Sequence, residues 1–175
     1  LKPALKGGWQ WQNAWTLTFT PEQPLPLGAG YDVTLKPETL LAPQIRIDKT
    51  DYHFSTPAFD YQVASTEYYQ DPQDSSQHSA IFNIKFNAPA DVQSVEKQLS
   101  LGLTSAKGQS EQPLKFSVTW DEKKLNAWVR SAPLQPMDHG GFVHLKVNGS
   151  VKSSHPGNEA GRKAEAWVTV PNLYS

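Results

Sequence analysis

Over residues 15–20 the side chains alternate one for one between apolar (Trp15, Leu17, Phe19) and hydroxyl (Thr16, Thr18, Thr20), and Pro21 follows at once. A period of two is what a strand with one buried face requires, and Pro, which lacks an N–H, ends a ladder. The same signature returns at Tyr31, Val33 and Leu35, and at Tyr52, Phe54 and Thr56 ahead of Pro57. It returns again at Phe59, Tyr61 and Val63, then at Phe82, Ile84 and Phe86, where a bulge would also bring Ile81 to the buried side. Further strands are expected at residues 99–103, 116–120, 126–130, 142–147 and 166–170. Fourteen prolines, eleven glycines and a single Met fit many short strands joined by turns far better than packed helices. Residues 91–99 hold the one expected helical turn, with Asp91 as N-cap, and residues 39–49 carry no clear period. The fold class is therefore all-β: immunoglobulin- or fibronectin-III-like β-sandwiches with Greek-key connections.

Strand, proline-rich turn closing on Gly, strand, irregular loop and final strand occur twice in the same order. The first pass reads WTLTF, TPEQPLPLGAG, YDVTL and HFSTP; the second reads NAWVR, SAPLQPMDHGG, FVHLKV and AWVTVP. Two tandem β-domains follow, residues 1–57 and 58–175. On this alignment the first lacks the early strands that residues 59–103 supply to the second. It reads as the C-terminal part of a domain, or a small one, that begins before Leu1 and carries an open sheet edge. The 15–19 and 31–35 strands are expected to pair as a hairpin or to lie across the sandwich from each other.

Sixteen basic and seventeen acidic residues leave a net charge of −1, which gives no field to recruit nucleic acid or an anionic membrane. With no cysteine there is no disulfide, thiolate nucleophile or Cys-ligated zinc. No apolar run approaches the length of a spanning helix, and the stretch from Leu1 to Lys6 has no secretory core. The start at Leu1 reads as that of an excised piece.

The candidate exposed aromatic surface is Trp9 and Trp11, which continue the alternation of Trp15 until Asn13 and Ala14 interrupt it. Tryptophan offers a flat apolar face with a polar N–H and so can stack on sugars. Apolar periodicity more often reports burial, and Trp15, Leu17, Phe19, Tyr31, Val33, Phe82, Ile84, Phe86, Trp120, Trp128 and Trp167 are the expected core. Glu67, Asp71, Asp74 and His78 gather in one polar stretch without the regularity or Gly of a calcium loop, and read as a solvated hairpin tip. The histidines (His53, His78, His139, His144, His155) have no metal-site spacing, and His144 is expected to face water. No nucleophile elbow, phosphate loop or dinucleotide fingerprint occurs. The NGS triplet at Asn148 reads as a turn. No cofactor, metal or catalytic residue is assigned.

The run PALKGGWQWQNAWTLTFTPEQPLPLGAGYDVTL, closing with HFSTP, resembles the end of an early macroglobulin-type domain of bacterial alpha-2-macroglobulins. The continuation FDYQVASTEYYQDPQDSSQHSAIFNIKFNAPADVQSVEKQLSL through VPNLYS is similar to the domain that follows it. The resemblance implies macroglobulin β-sandwich domains in a long periplasmic lipoprotein, held at the inner membrane by an N-terminal lipid outside this piece, that traps attacking proteases after they cut a bait region. In one subgroup a Cys-Leu-Glu-Gln thioester captures the protease; this chain has no Cys and so holds none. The implied role is a non-catalytic scaffold. Its partners would be neighbouring macroglobulin domains, with proteases as targets of the whole parent, and no nucleic acid or direct membrane contact. Two alternatives stand beside it. One is a carbohydrate-binding or adhesin-like module using Trp9 and Trp11; the other is a direct protease inhibitor using the loops LQPMDHGG or SSHPGNEAGRK. An enzyme is a weaker reading than any of these.

Overall fold

The computed structural model describes residues 1–42, 44, 46–108 and 110–172. They form two compact units, one comprising Leu1–Ala58 with His155–Asn158, the other Phe59–Ser154 with the chain from Glu159 onwards. All sheets are antiparallel and the helices are single turns, so the all-β class holds.

The first unit holds two two-stranded sheets. Strand β1 (Gly7–Asn13) pairs with β2 (Thr16–Pro21), and β3 (Gly30–Thr34) with β4 (Asp51–Ser55). The 15–19 and 31–35 stretches therefore do not pair with each other: β2 takes β1 as its partner, joined to it by a tight turn at Asn13. The Asn13 side chain accepts the Trp15 N–H at 2.9 Å, the local bond that favours Asn in turns. Trp15 consequently sits in the turn and is 91% exposed, where the alternation placed it in the core. At the entrance to residues 39–49 a helical turn, α1 (Pro37–Leu40), begins with Pro and closes on the Leu41 N–H donated to Pro37 O at 2.9 Å. Residues 43 and 45 of that stretch lie outside the described residues.

The second unit is a sandwich of two four-stranded sheets. One sheet has the order β5 (Tyr61–Gln70), β6 (His78–Phe86), β10 (Asn126–Ser131), β9 (Phe116–Trp120). The other has the order β12 (Ala164–Val170), β11 (Gly141–Val147), β7 (Leu99–Ser105), β8 (Gln112–Pro113). Phe82, Ile84, Phe86, Ala127 and Val129 from the first sheet, and Leu99, Leu101, Val143, Leu145, Val147 and Val168 from the second, are all buried. The bulge lies in β5, between Val63 and Ser65, rather than in β6, so Phe82 and Ile84 keep strict alternation and Ile81 is only half-buried. Helix α2 (Val92–Glu96) bridges the sheets, and the Asp91 carboxylate accepts the Ser94 N–H at 2.8 Å as its N-cap.

Two tryptophans expected in this core are outside it. Trp128 is 38% and Trp167 53% exposed, because the inward positions of their strands belong to Ala127 and Val129, and to Ala166 and Val168. In a strand only one of two alternating sets can face inward, and here the small and branched residues fit the tightly packed layer between sheets. Trp120 is half-buried, stacked on Phe86 at 5.6 Å between centroids, with its indole N–H donated to Glu96.

The twofold sequence pattern has a counterpart in the pairing. The hairpins β9–β10 and β11–β12 of the second unit each belong to a different sheet, in the chain order in which β1–β2 and β3–β4 do in the first unit. In the second unit β10 also pairs with β6 and β11 with β7. The first unit has no strands of its own in those two places among the described residues.

Candidate functional site

Trp9 and Trp11 lie on one face of β1, opposite Phe19 and Leu17 of β2. They are 48% and 44% exposed, and the Trp9 ring tilts against Phe19 at 4.9 Å. Facing them, Tyr31 stacks on Phe54 at 5.1 Å across the β3–β4 ladder, and Val33 stands opposite Tyr52. Between the hairpins runs a cleft of about 840 Å³ lined almost wholly by apolar side chains, with Leu1, Leu5, Leu35 and Ile47 joining the aromatics and Arg46 the one charged side chain among the described residues. Among the described residues of this unit Tyr31 alone counts as buried hydrophobic core, while Trp9, Trp11, Trp15, Tyr52 and Phe54 are exposed. An apolar surface of this extent is the mark of an interaction face. A sugar site would need directional polar groups around the rings, and this cleft offers almost none.

A second cluster lies on the outer face of the β12–β11–β7–β8 sheet. His144 is not water-facing as its sequence position suggested: its side chain is only 15% exposed. The cross-strand register sets Trp167 opposite His144, and the two rings stack at 4.6 Å. Nδ1 lies 3.2 Å from Glu111 Oε1. Nε2 lies 3.3 Å from Glu165 Oε2, an ion-pair distance without hydrogen-bond alignment. Glu111 also pairs with the Lys146 ammonium, and that bond more than any other holds its carboxyl below the usual carboxylate range. Opposite His144 on its other side, β7 places Gly102; a Cβ there would lie within 2.4 Å of the Glu111 side chain, so the glycine makes room for the carboxylate to reach across. Among the described residues no three His, Cys, Asp or Glu side chains are gathered so as to hold a metal.

The remaining sequence candidates do local work. Asp71 accepts the Gln73 N–H, and Asp74 accepts the Ser76 N–H and hydroxyl and the Gln77 amide, all within the turn between β5 and β6. Glu67 lies in the strand itself and His78 stacks on Tyr68; the four do not converge. The Asn148 amide is bonded to Gln98 O and Ser100 Oγ, in keeping with a turn. In LQPMDHGG, Leu134 is buried and its N–H bonds to His78 O. In SSHPGNEAGRK, Ser153 and Ser154 are bonded to Pro89 O. Asp60 is held below the usual carboxylate range chiefly by the bond from Arg162, whose guanidinium also covers the Tyr61 ring at 4.7 Å. This is a clasp, with no reactive group beside it.

The whole chain aligns with two proteins of much greater length. An alpha-2-macroglobulin homolog of Yersinia pestis is 52% identical over 175 residues, which is all of this chain and 9% of that protein. The alpha-2-macroglobulin of Pasteurella multocida (strain Pm70) is 32% identical over 184 residues, again all of this chain and 10% of that protein. The chain is homologous to a segment of bacterial alpha-2-macroglobulins. It spans about a tenth of the length of these relatives, and is a piece of a macroglobulin rather than the counterpart of a whole one. No family model matches it, and no solved structure does.

Against this macroglobulin fold, sequence reasoning missed Glu111, Glu165 and Trp167 as the surroundings of His144. The outward register of His144 and Lys146 on β11 carried a hint of the charged face, but Glu111 arrives from a loop and is invisible to strand periodicity.

Proposed function

We propose that this chain is a non-catalytic scaffold segment of a periplasmic macroglobulin that traps attacking proteases, the parent being held at the inner membrane by a lipid outside the segment. The observation that carries this reading is the alignment with alpha-2-macroglobulins over the entire length of the chain. Two features of the molecule support it. The polar side chains singled out in the sequence are engaged in turns and packing: Asp71 and Asp74 bond within their own turn, and His144 stacks on Trp167 between Glu111 and Glu165. The second unit is a two-sheet sandwich with a continuous buried core. In this role the sandwich of the second unit acts as a rigid spacer, and neighbouring macroglobulin domains are its partners.

The test compares the intact parent with the isolated chain, each incubated with an endopeptidase and assayed on a large protein and on a small peptide substrate. A trap shields the protease from the large substrate while small peptides still reach it, so the parent should suppress only the first activity. The isolated chain should suppress neither. Stoichiometric inhibition by the isolated chain on both substrates would replace the scaffold reading with a direct inhibitor working through one of its loops.

A further inference from the structure

The apolar cleft of the first unit has an occupant that the backbone itself indicates. Lys2 and Asp32 exchange both of their main-chain hydrogen bonds, Lys2 N–H to Asp32 O and Asp32 N–H to Lys2 O, each at 2.8 Å, on the edge of β3 away from β4. In an antiparallel pair such doubly bonded positions recur every second residue. Continuing the register sets Leu1 opposite Val33, and the residue immediately before Leu1 opposite Thr34. The residue before that falls opposite Leu35. Leu1, Val33 and Leu35 all line the cleft, so the pairing already brings apolar side chains of both strands to its wall. The second unit supplies a template: there β11, the counterpart of β3, has β7 on this same edge, running antiparallel over its whole length.

We propose that the polypeptide immediately upstream of Leu1 in the parent chain forms a β-strand along the outer edge of β3, in the place β7 holds in the second unit, and that this strand and those before it close the cleft over Trp9 and Trp11. The inference rests on the chain being a segment of a longer parent, which the relatives' lengths support, and not on protease trapping. Trp9 and Trp11 are then the inner face of an uncompleted sandwich. Two-stranded sheets are marginal alone, and a full set of strands would give this unit the core it lacks. The register also fixes a sequence pattern: the second residue before Leu1 belongs on the cleft face and is apolar, and the one between points the opposite way.

Hydrogen exchange read by mass spectrometry on peptides spanning Thr34 and Leu35, in this chain and in the intact parent, tests it together with acrylamide quenching of tryptophan. In the isolated chain the Thr34 amide should exchange freely. In the parent it should slow by about tenfold or more, as for a laddered amide, and quenching of Trp9 and Trp11, assigned by Trp→Phe variants, should fall. A Leu35→Lys variant of the parent should lose that protection while peptides from β6 keep theirs. Fast exchange at Thr34 and full quenching in the parent would overturn the proposal. So would protection that appears in the isolated chain with rising concentration and is no greater in the parent, which would make the cleft a contact between copies. Protection of the parent only on adding an oligosaccharide would overturn it in favour of a glycan site. The protease assay above reads none of these quantities, so either reading can fail alone.

Discussion

Ile84 stands between Val63 and Ala127 in the central ladder of its sheet and is 1% exposed. Truncating Ile84→Ala removes buried methylenes and leaves a cavity in a layer that cannot readily collapse, at a cost of about 2 to 5 kcal/mol. Trp128→Ala, one strand over but on the outer face, should cost less than about 1 kcal/mol, as for an ordinary surface position. Urea unfolding followed by circular dichroism checks the pair, and a larger loss at Trp128 would mean that its face is covered. Glu111 gives the residue scale a pH signature. Its carboxyl is held low first by the Lys146 bond and then by His144, so the folded state favours the ionised form more than the unfolded chain does. That contribution is complete above the ordinary carboxylate pKa, roughly 4, and is lost as pH falls through the lowered folded value. Glu111→Gln should therefore flatten the fall of melting temperature on the acid side and leave its slope near neutrality unchanged. Thermal melts at a series of pH values decide this. Gly102→Ala should have the same acid-side effect, because its methyl displaces the Glu111 side chain.

At the scale of elements, most boundaries follow from local chemistry. Asp91 caps α2 through the Ser94 N–H, and Asp91→Ala should cost about 1 kcal/mol, measurable by chemical denaturation and partly restored by Asp91→Asn. The β9–β10 turn is drawn together by the Asp121 carboxylate, which accepts the Leu125 and Asn126 N–H groups and the Asn126 amide. The chain passes through this turn with Lys124 at φ 57°, a left-handed conformation that costs a side-chain-bearing residue and that glycine adopts freely. Lys124→Gly should therefore stabilise the second unit by about 0.5 to 1 kcal/mol, and a loss of stability in the same denaturation assay would show that the Lys124 side chain contributes more than its backbone strain costs. The Asn13 turn works by the same local logic. It joined β1 to β2 and carried Trp15 out of the strand, a step that a count of alternating residues does not register.

At the scale of the molecule the two units differ in how much they bury: the second has a two-sheet core, the first a single buried hydrophobic side chain among its described residues. The isolated chain should accordingly melt in two steps, with amides of β1 to β4 exchanging before those of β6, β10 and β11; one cooperative transition seen by calorimetry and by exchange would contradict this. The sequence by itself determined the all-β class, most strand positions, the cap of α2 and the likeness to alpha-2-macroglobulins, because period-two alternation, proline and glycine act on a few neighbouring residues and are written locally. It also placed Phe82, Ile84 and Phe86 inward, where alternation coincides with a run of large apolar residues. Only the tertiary structure decided which alternating set faces in at Trp128 and Trp167, which strand β2 pairs with, and that Glu111, Glu165 and Trp167 converge on His144. These depend on register and on layers brought together from distant stretches of chain, where packing volume selects between two patterns that look equally good in one dimension. The aromatic stretch at Trp9 and Trp11 shows both contributions: its period of two sets the two rings on one face of β1, and the pairing of the two hairpins leaves them half-exposed along an apolar cleft.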